Sequence, residues 1–380
     1  MEKINAVITG IGGYVPEYVL NNDELSRMVD TNDEWIRTRI GVKERRILNE
    51  EGLGTSYMAR KAAKQLLQKT GVNPEDIDCV IVSTSTPDYH FPSVASIVIG
   101  KLGLTNAFAY DLQAACSGFL FAMDTASALI ESGRYKKIIV IGADKMSSMV
   151  DYTDRATCPI FGDGAAAVLV EPTTEDLGWK DAYLRTDGKG LPFLCMKAGG
   201  SACPPSYFTI DHRLHYLHQE GRTVFKFAVT NMSDASALVA ERNGLTKDNI
   251  AWVIPHQANV RIIEAVAHRL ELPMEKVMLN IQRYGNTSAA TLPLALWDYE
   301  QQLKKGDNLT VFSFYFSKIR ISAFRPTCMA PFGQNSWQQK QWMQALRSMR
   351  GLPRCIVMAF AGQMFAHFRQ QTHAFACSFG

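Results

Sequence analysis

Beyond Asp307 the sequence contains no aspartate or glutamate. Residues 308–380 hold eight Lys or Arg, whereas the preceding 307 residues hold all 37 acids against 32 bases. The formal charge of +3 therefore joins an acidic body at −5 to a strongly basic tail at +8, and by itself gives no nucleic-acid signal. Cysteine is sparse: the eight residues at 79, 116, 158, 195, 203, 328, 355 and 377 lie far apart, with no Cys-x-x-Cys pair. That spacing argues against both zinc and a disulfide framework and predicts reduced thiols, mostly buried. No stretch of about 18 uninterrupted apolar residues occurs, which excludes a membrane-spanning helix. The opening "MEKINAVITG" has an acid ahead of a short apolar run and lacks a small-residue cleavage site, so no secretory signal is read and a cytoplasmic protein is expected. What is present, 47% hydrophobic and 20% charged residues over 380, is the composition of a globular protein with a sizeable core.

Short β-branched runs alternate with helical patterns: "DCVIVSTSTPD" (78–88), "AFAYDL" (107–112), "KKIIVIGAD" (136–144), "AAAVLVEP" (165–172), "AWVIPHQ" (251–257) and "NLTVFSF" (308–314). Runs apolar on both faces and separated by helices predict buried strands of a mixed or parallel sheet covered on both sides, an α/β class. The chain also repeats itself. "GVNPEDIDCVIV" from Gly71 and "GLTKDNIAWVIP" from Gly244 share Gly, Ile and Val-Ile at one offset, 173 residues, and the same offset carries Gly133 onto Gly306 and the helix opening at Cys116 onto one near Ala289. Three matches in order predict two copies of one α/β unit, with an active site at their junction.

Cys116, in "DLQAACSGFL", follows an apolar run and precedes a helical one that Gly133 stops. In a first turn it would lie near orphan N–H groups and the positive end of the helix dipole, which favour thiolate; a small buried core cysteine is the alternative. "VIPHQANVRII" puts His256 and Asn259 at the carboxyl end of a buried strand, where open α/β sheets place functional loops. "YGNTSAATLPLAL" puts Asn286 in a turn before a helix, where it serves as a donor or only as an N-cap, with Thr287 and Ser288 competing for the cap. A Cys, a His and an Asn from both halves form a set that can make an acyl thioester and hydrogen-bond an oxyanion. "GIGGYVP" (10–16) lacks the third glycine of a dinucleotide loop and runs into Pro16, so a nicotinamide cofactor is set aside.

"ACSGF", "PHQANVRI" and "GNTSAA", with "TNDEWIRTRIGVKERR" and "FGDGAAA", resemble the β-ketoacyl-acyl-carrier-protein synthase III family from about residue 3 to 314. The resemblance implies a five-layered thiolase fold built from a duplicated αβαβα unit, with residues 1–172 as the half carrying the nucleophile and 173–314 as the half carrying His and Asn. It implies decarboxylating condensation of an acyl-CoA primer with malonyl-acyl-carrier protein, with Cys116, His256 and Asn286 catalytic. It further implies coenzyme A contacts at Thr31, Trp35, Arg39, Arg155, Phe225 and Asn259, where an aromatic face and guanidinium planes suit adenine. Lys226, Gln257, Arg261 and Arg269 match the family's carrier-protein surface, and Phe91 its acyl pocket, reached across a homodimer, with an ordinary core Phe as the alternative. No cofactor or metal is expected, acyl-CoA and malonyl-carrier protein being substrates, and neither nucleic acid nor membrane is an expected partner. A condenser of other acyl specificity, or an inactive binder of coenzyme A thioesters, are the competing readings.

The pattern breaks near residue 314. The family expects a glycine-rich turn and one last strand, and this chain reads "FYFSKIRISAF" instead, at the point where its acidic residues end. The coincidence predicts a slipped reading frame, with residues 315–380 a non-family tail; a genuine basic extension is the rival. A missing strand would leave an apolar sheet edge bare. A missing turn would remove one backbone donor for the tetrahedral intermediate.

Overall fold

The computed structural model describes residues 3–313 and 316–320. All of these residues belong to one compact unit.

Strands β1 (Asn5–Tyr14), β2 (Cys79–Ser83), β3 (Phe108–Leu112), β4 (Ile138–Lys145) and β5 (Asp163–Thr173) form a first sheet in the order β1-β5-β4-β2-β3. The β1–β5 and β5–β4 pairs are antiparallel, and the β4–β2 and β2–β3 pairs parallel. Every residue of β2 is buried, as expected of a strand covered on both faces. The second sheet repeats the scheme with β6 (Gly178–Tyr183), β7 (Trp252–Pro255), β8 (Asn308–Phe312) and β9 (Phe316–Arg320), in the order β6-β9-β8-β7. Its first two pairs are likewise antiparallel and its third parallel, and a parallel bridge from Val253 to Val277 stands where β3 stands in the first sheet.

Duplication is written into the backbone as well. Gly71 and Gly244, Gly133 and Gly306, and the non-glycine pair Ala115 (φ 47°) and Ser288 (φ 52°) all have positive φ, and each pair is 173 residues apart. For a non-glycine residue this left-handed conformation is uncommon, and here it turns the chain sharply just before a helix in both halves.

Helices complete five layers. α1 (Asp33–Arg39) is peripheral, while α2 (Thr55–Thr70) and α3 (Val94–Leu102) cover the outer face of the first sheet. α2 buries Met58, Ala59, Ala62, Ala63 and Leu66, one face at helical spacing, and Gly71 ends it. α4 (Gly118–Glu131) and α7 (Thr291–Asp298) lie between the sheets, where Phe119, Leu120 and Leu292 meet Ile254, Leu309 and Val311. α5 (Gly221–Arg242) and α6 (Val260–Arg269) pack together over the second sheet. Among the described residues no helix is long and apolar enough to cross a membrane.

One expectation fails here. The second half does not lose its last strand: β9 pairs with β8 from Asn308↔Arg320 to Phe312↔Phe316 and with β6 on its other side. Two strand edges facing a strand-wide gap offer rows of backbone donors and acceptors to any extended segment, whatever its side chains. The family-like fold therefore runs to residue 320, past the expected boundary at 314, and the apolar edge of β8 is covered. Residues 314 and 315, where the glycine-rich turn would stand, and the tail from 321 lie outside the described residues.

Candidate active site

Cys116 occupies a single turn, Ala115–Ser117, between β3 and α4. Two glycines let the surrounding elements close on it. A Cβ at Gly118 would run into the Ser83 hydroxyl on β2, and one at Gly142 on β4 would run into the carbonyl of Ala289, which belongs to the opposite half.

That second contact positions Asn286. Its backbone N–H donates to Ile160 O (2.8 Å) and its carbonyl accepts from Gly162 N–H (3.2 Å), so the first half clamps the Asn286 turn of the second. Asp144, wholly buried at the end of β4, adds a further clamp: it accepts from Thr84 Oγ1 (3.1 Å), Ser85 N–H (2.7 Å), Thr86 Oγ1 (3.0 Å) and Ala289 N–H (2.9 Å). Burial nonetheless pushes its carboxyl above the usual range, because solvation lost outweighs these donors.

The Asn286 side chain makes the turn-capping bond with one end of its amide. Its Oδ1 accepts from Ser288 N–H at 2.9 Å, which fixes the amide orientation, and no protein acceptor takes Nδ2 among the described residues. Ser288 in turn brings its hydroxyl to 3.9 Å from Cys116 Sγ and to the Asp144 carboxylate.

His256 follows β7 and is fully buried. Its backbone N–H donates to Phe312 O (2.6 Å), and its Nδ1 lies 2.7 Å from Thr291 Oγ1 at the start of α7. Burial holds the imidazole down to about 3, so it is neutral near pH 7.

Cys116 is half-buried and departs from the thiolate expected at a helix end. It stands in the turn ahead of α4, and burial pushes its thiol up to about 12 against the opposing pull of the Ser288 hydroxyl. Ser313 braces the same turn, donating to Cys116 O (3.0 Å) and meeting the Ser117 hydroxyl (3.1 Å).

Cys116, His256 and Asn286 line one cavity of about 720 Å³, together with Trp35, Arg39, Phe225 and Asn259. A second chamber of about 640 Å³ reaches Cys116 past Leu191, Phe193 and Phe227. Around the first, the Arg155 guanidinium lies 5.9 Å above the Trp35 ring while pairing with Asp30 (2.9 Å), and Arg261 lies 5.6 Å from the Phe225 ring. Asn259 caps α6 by accepting from Arg261 N–H and donates to Arg39 O at 3.0 Å, so it braces α1 against the second half. Thr31 stands apart from the lining, its hydroxyl without a protein partner among the described residues.

Lys226, Arg261 and Arg269 are exposed on α5 and α6, as a docking surface needs. Gln257, expected with them, is a correction. It is fully buried, donates to Pro255 O (2.7 Å) and Met278 O (3.1 Å), and accepts from Asn280 and Ile281 N–H, so no docking protein reaches it. Phe91 is 84% exposed, which excludes the core alternative, and it lines neither chamber of its own chain. Thr291 and Asp144 were not foreseen, and Ser288 only as a competing cap; the sequence signal was an acid closing an otherwise apolar strand and hydroxyls crowded after Asn286.

Two family models match this chain: 3-oxoacyl-[acyl-carrier-protein] synthase III over residues 110–188, and the C-terminal region of the same synthase over 240–315. Among curated relatives, the beta-ketoacyl-[acyl-carrier-protein] synthase III of Phocaeicola vulgatus is 79% identical over 83% of this chain and 94% of its own, and that of Porphyromonas gingivalis is 55% identical over the same shares. Among solved structures, the 3-oxoacyl-[acyl-carrier-protein] synthase III of Aquifex aeolicus superposes with a TM-score of 0.75 at 40% identity, covering 83% of this chain and 99% of that one. The priming β-ketosynthase of the R1128 polyketide pathway gives 0.77 at 30%, covering 84% and 97%. The fold is the thiolase fold of these synthases.

Proposed function

The chain belongs to the β-ketoacyl-acyl-carrier-protein synthase III family, and from that premise we propose that it condenses an acyl-CoA primer with malonyl-acyl-carrier protein to give 3-oxoacyl-acyl-carrier protein, the opening step of fatty acid synthesis. The observation that carries this reading is the convergence of Cys116, His256 and Asn286, from two halves, on one cavity.

Cys116 attacks the thioester carbonyl of acyl-CoA; the carbon–sulfur bond to coenzyme A breaks, the thiol proton of Cys116 passes to the departing coenzyme A sulfur, and the acyl group remains on Sγ. Malonyl-carrier protein then loses CO₂, and the electron pair of the broken bond moves onto the thioester oxygen. Asn286 Nδ2, its orientation fixed by Ser288 N–H, is a preorganised donor to that enolate, and a neutral His256 supplies the other. The enolate carbon attacks the acyl thioester, a carbon–carbon bond forms as the acyl–Sγ bond breaks, and Cys116 leaves as thiolate and takes back one proton from solvent. A buried site strengthens both donors by excluding water. No step calls for a cofactor.

Trp35, with Arg155 over its ring and Arg39 on the same cavity wall, suits the adenine of coenzyme A, with Phe225 and Asn259 further along the cavity. Lys226, Arg261 and Arg269 suit an acidic carrier protein. An exposed Phe91, with Tyr89 at 64% exposure beside it, supports a homodimer in which a second copy covers both and Phe91 reaches the partner's acyl chamber. The similarity to a polyketide priming synthase keeps a primer other than acetyl as the second reading.

Radiolabelled acetyl-CoA tests the assignment. Stable label on the wild type and none on Cys116→Ala is the expected result; binding of acetyl-CoA without transfer would make the chain a binder.

A further inference from the structure

A neutral imidazole carries one ring proton, and only the Nε2–H form of His256 donates into the cavity if Nδ1 is turned toward α7. What Nδ1 meets constrains which nitrogen holds the proton. It meets Thr291 Oγ1 at 2.7 Å, in a side chain that is itself buried.

The Thr291 hydroxyl has one proton and two acceptors within reach. The other is Ser288 O, at 3.0 Å. That carbonyl already receives the backbone N–H of Thr291 at the end of the Ser288–Ala290 turn, so it keeps a donor when the hydroxyl turns away. If the hydroxyl bonded Ser288 O, the imidazole would have to donate from Nδ1, and Nε2 would become a lone pair facing a forming enolate. If the hydroxyl donates to Nδ1, both acceptors are satisfied and Nε2 carries the proton.

We propose that the Thr291 hydroxyl donates to His256 Nδ1 and so fixes the Nε2–H tautomer, making Thr291 a positioning residue for the decarboxylation of the malonyl thioester. Thr291 touches no reacting atom; it acts through His256. The step itself moves no proton: the malonyl C–CO₂ bond breaks, its electron pair becomes the enolate, and the Nε2–H stabilises the new charge. The low ring pKa imposed by burial agrees with this, since a doubly protonated ring would make the tautomer immaterial.

The inference rests on the proposed condensation, and the test separates the two. In the full-length chain, Thr291→Val removes the hydroxyl at nearly constant shape and Thr291→Ser restores it. Three measurements are made: acetyl transfer from acetyl-CoA to Cys116, CO₂ release from malonyl-carrier protein, and the ¹⁵N shifts of the His256 ring. The expected result is a fall in decarboxylation of about 10- to 100-fold in Thr291→Val, short of the roughly 100- to 1,000-fold of a donor removed outright, with a fall in acetyl transfer at least tenfold smaller and recovery in Thr291→Ser. The wild-type ring should show a protonated Nε2 and an unprotonated Nδ1.

Decarboxylation by Thr291→Val at the wild-type rate would overturn the inference, as would failure of Thr291→Ser to recover. Should Thr291→Val not fold, the wild-type ring decides: a protonated Nδ1 sinks the idea. A wild type that takes no acetyl label defeats the proposed function instead, and the ring shifts still report on Thr291.

Discussion

Replacing Asn286 by aspartate isolates a single donor. Oδ1 stays where Ser288 N–H holds it at 2.9 Å, and the backbone clamps from Ile160 and Gly162 and the Asp144–Ala289 bond are untouched, so the turn keeps its place. Only the group at the Nδ2 position changes, from an N–H donor to an oxygen. Losing one preorganised donor to an oxyanion costs about 3–4 kcal/mol, or roughly 100- to 1,000-fold. An ionised aspartate adds repulsion against the enolate, so this is the smaller end of the expected effect. The assay is CO₂ release from labelled malonyl-carrier protein, run beside acetyl transfer to Cys116, which forms no enolate and should change by less than about tenfold. Decarboxylation by Asn286→Asp within tenfold of wild type would refute the role given to this amide.

Alkylation of free Cys116 by iodoacetamide should quicken about tenfold per pH unit through pH 10, because a thiol near 12 stays below its midpoint there; a plateau near pH 8–9, as for an ordinary thiol, would show that the helix end prevails over burial. Asp144→Ala leaves three hydroxyls and two backbone N–H groups without their acceptor and should lower unfolding stability by roughly 4 kcal/mol or more; a urea midpoint shifted by less than the equivalent of about 1 kcal/mol would contradict the clamp. Phe91→Glu should convert a dimer to monomer in analytical ultracentrifugation, and a wild type that is already monomeric removes the basis for a shared acyl chamber. Reading the coding DNA past Phe314 in its other two frames should give a glycine-rich turn and a final strand; if neither does, the basic tail is genuine.

The duplicated architecture was legible because it rests on local geometry that particular letters encode. Left-handed glycines recur at 71 and 244 and at 133 and 306, and the apolar runs at 79–83 and 252–255 share Val-Ile at their second and third positions. Cys116, His256 and Asn286 were legible for the same reason, each standing at a strand end or turn beside a recognisable helix start. What the letters hide is distance. Asp144 meets Ala289 across 145 residues, and nothing near either position announces the other. Gln257 was misassigned because a polar residue in a loop looks solvent-facing until the loop folds inward and gives it two carbonyls and two amides. The burial that sets the Cys116 thiol likewise depends on walls contributed by both halves. β9 was missed for a different reason: its place is dictated by the strands on either side of it.

Because Ile160, Gly162 and Asp144 of the first half hold the Asn286 turn, the amide of the second half keeps its working place only while the two halves are docked. The interface between the repeats is thus part of the catalytic apparatus, and a substitution that loosens it is expected to lower activity before it lowers the helix content of either half.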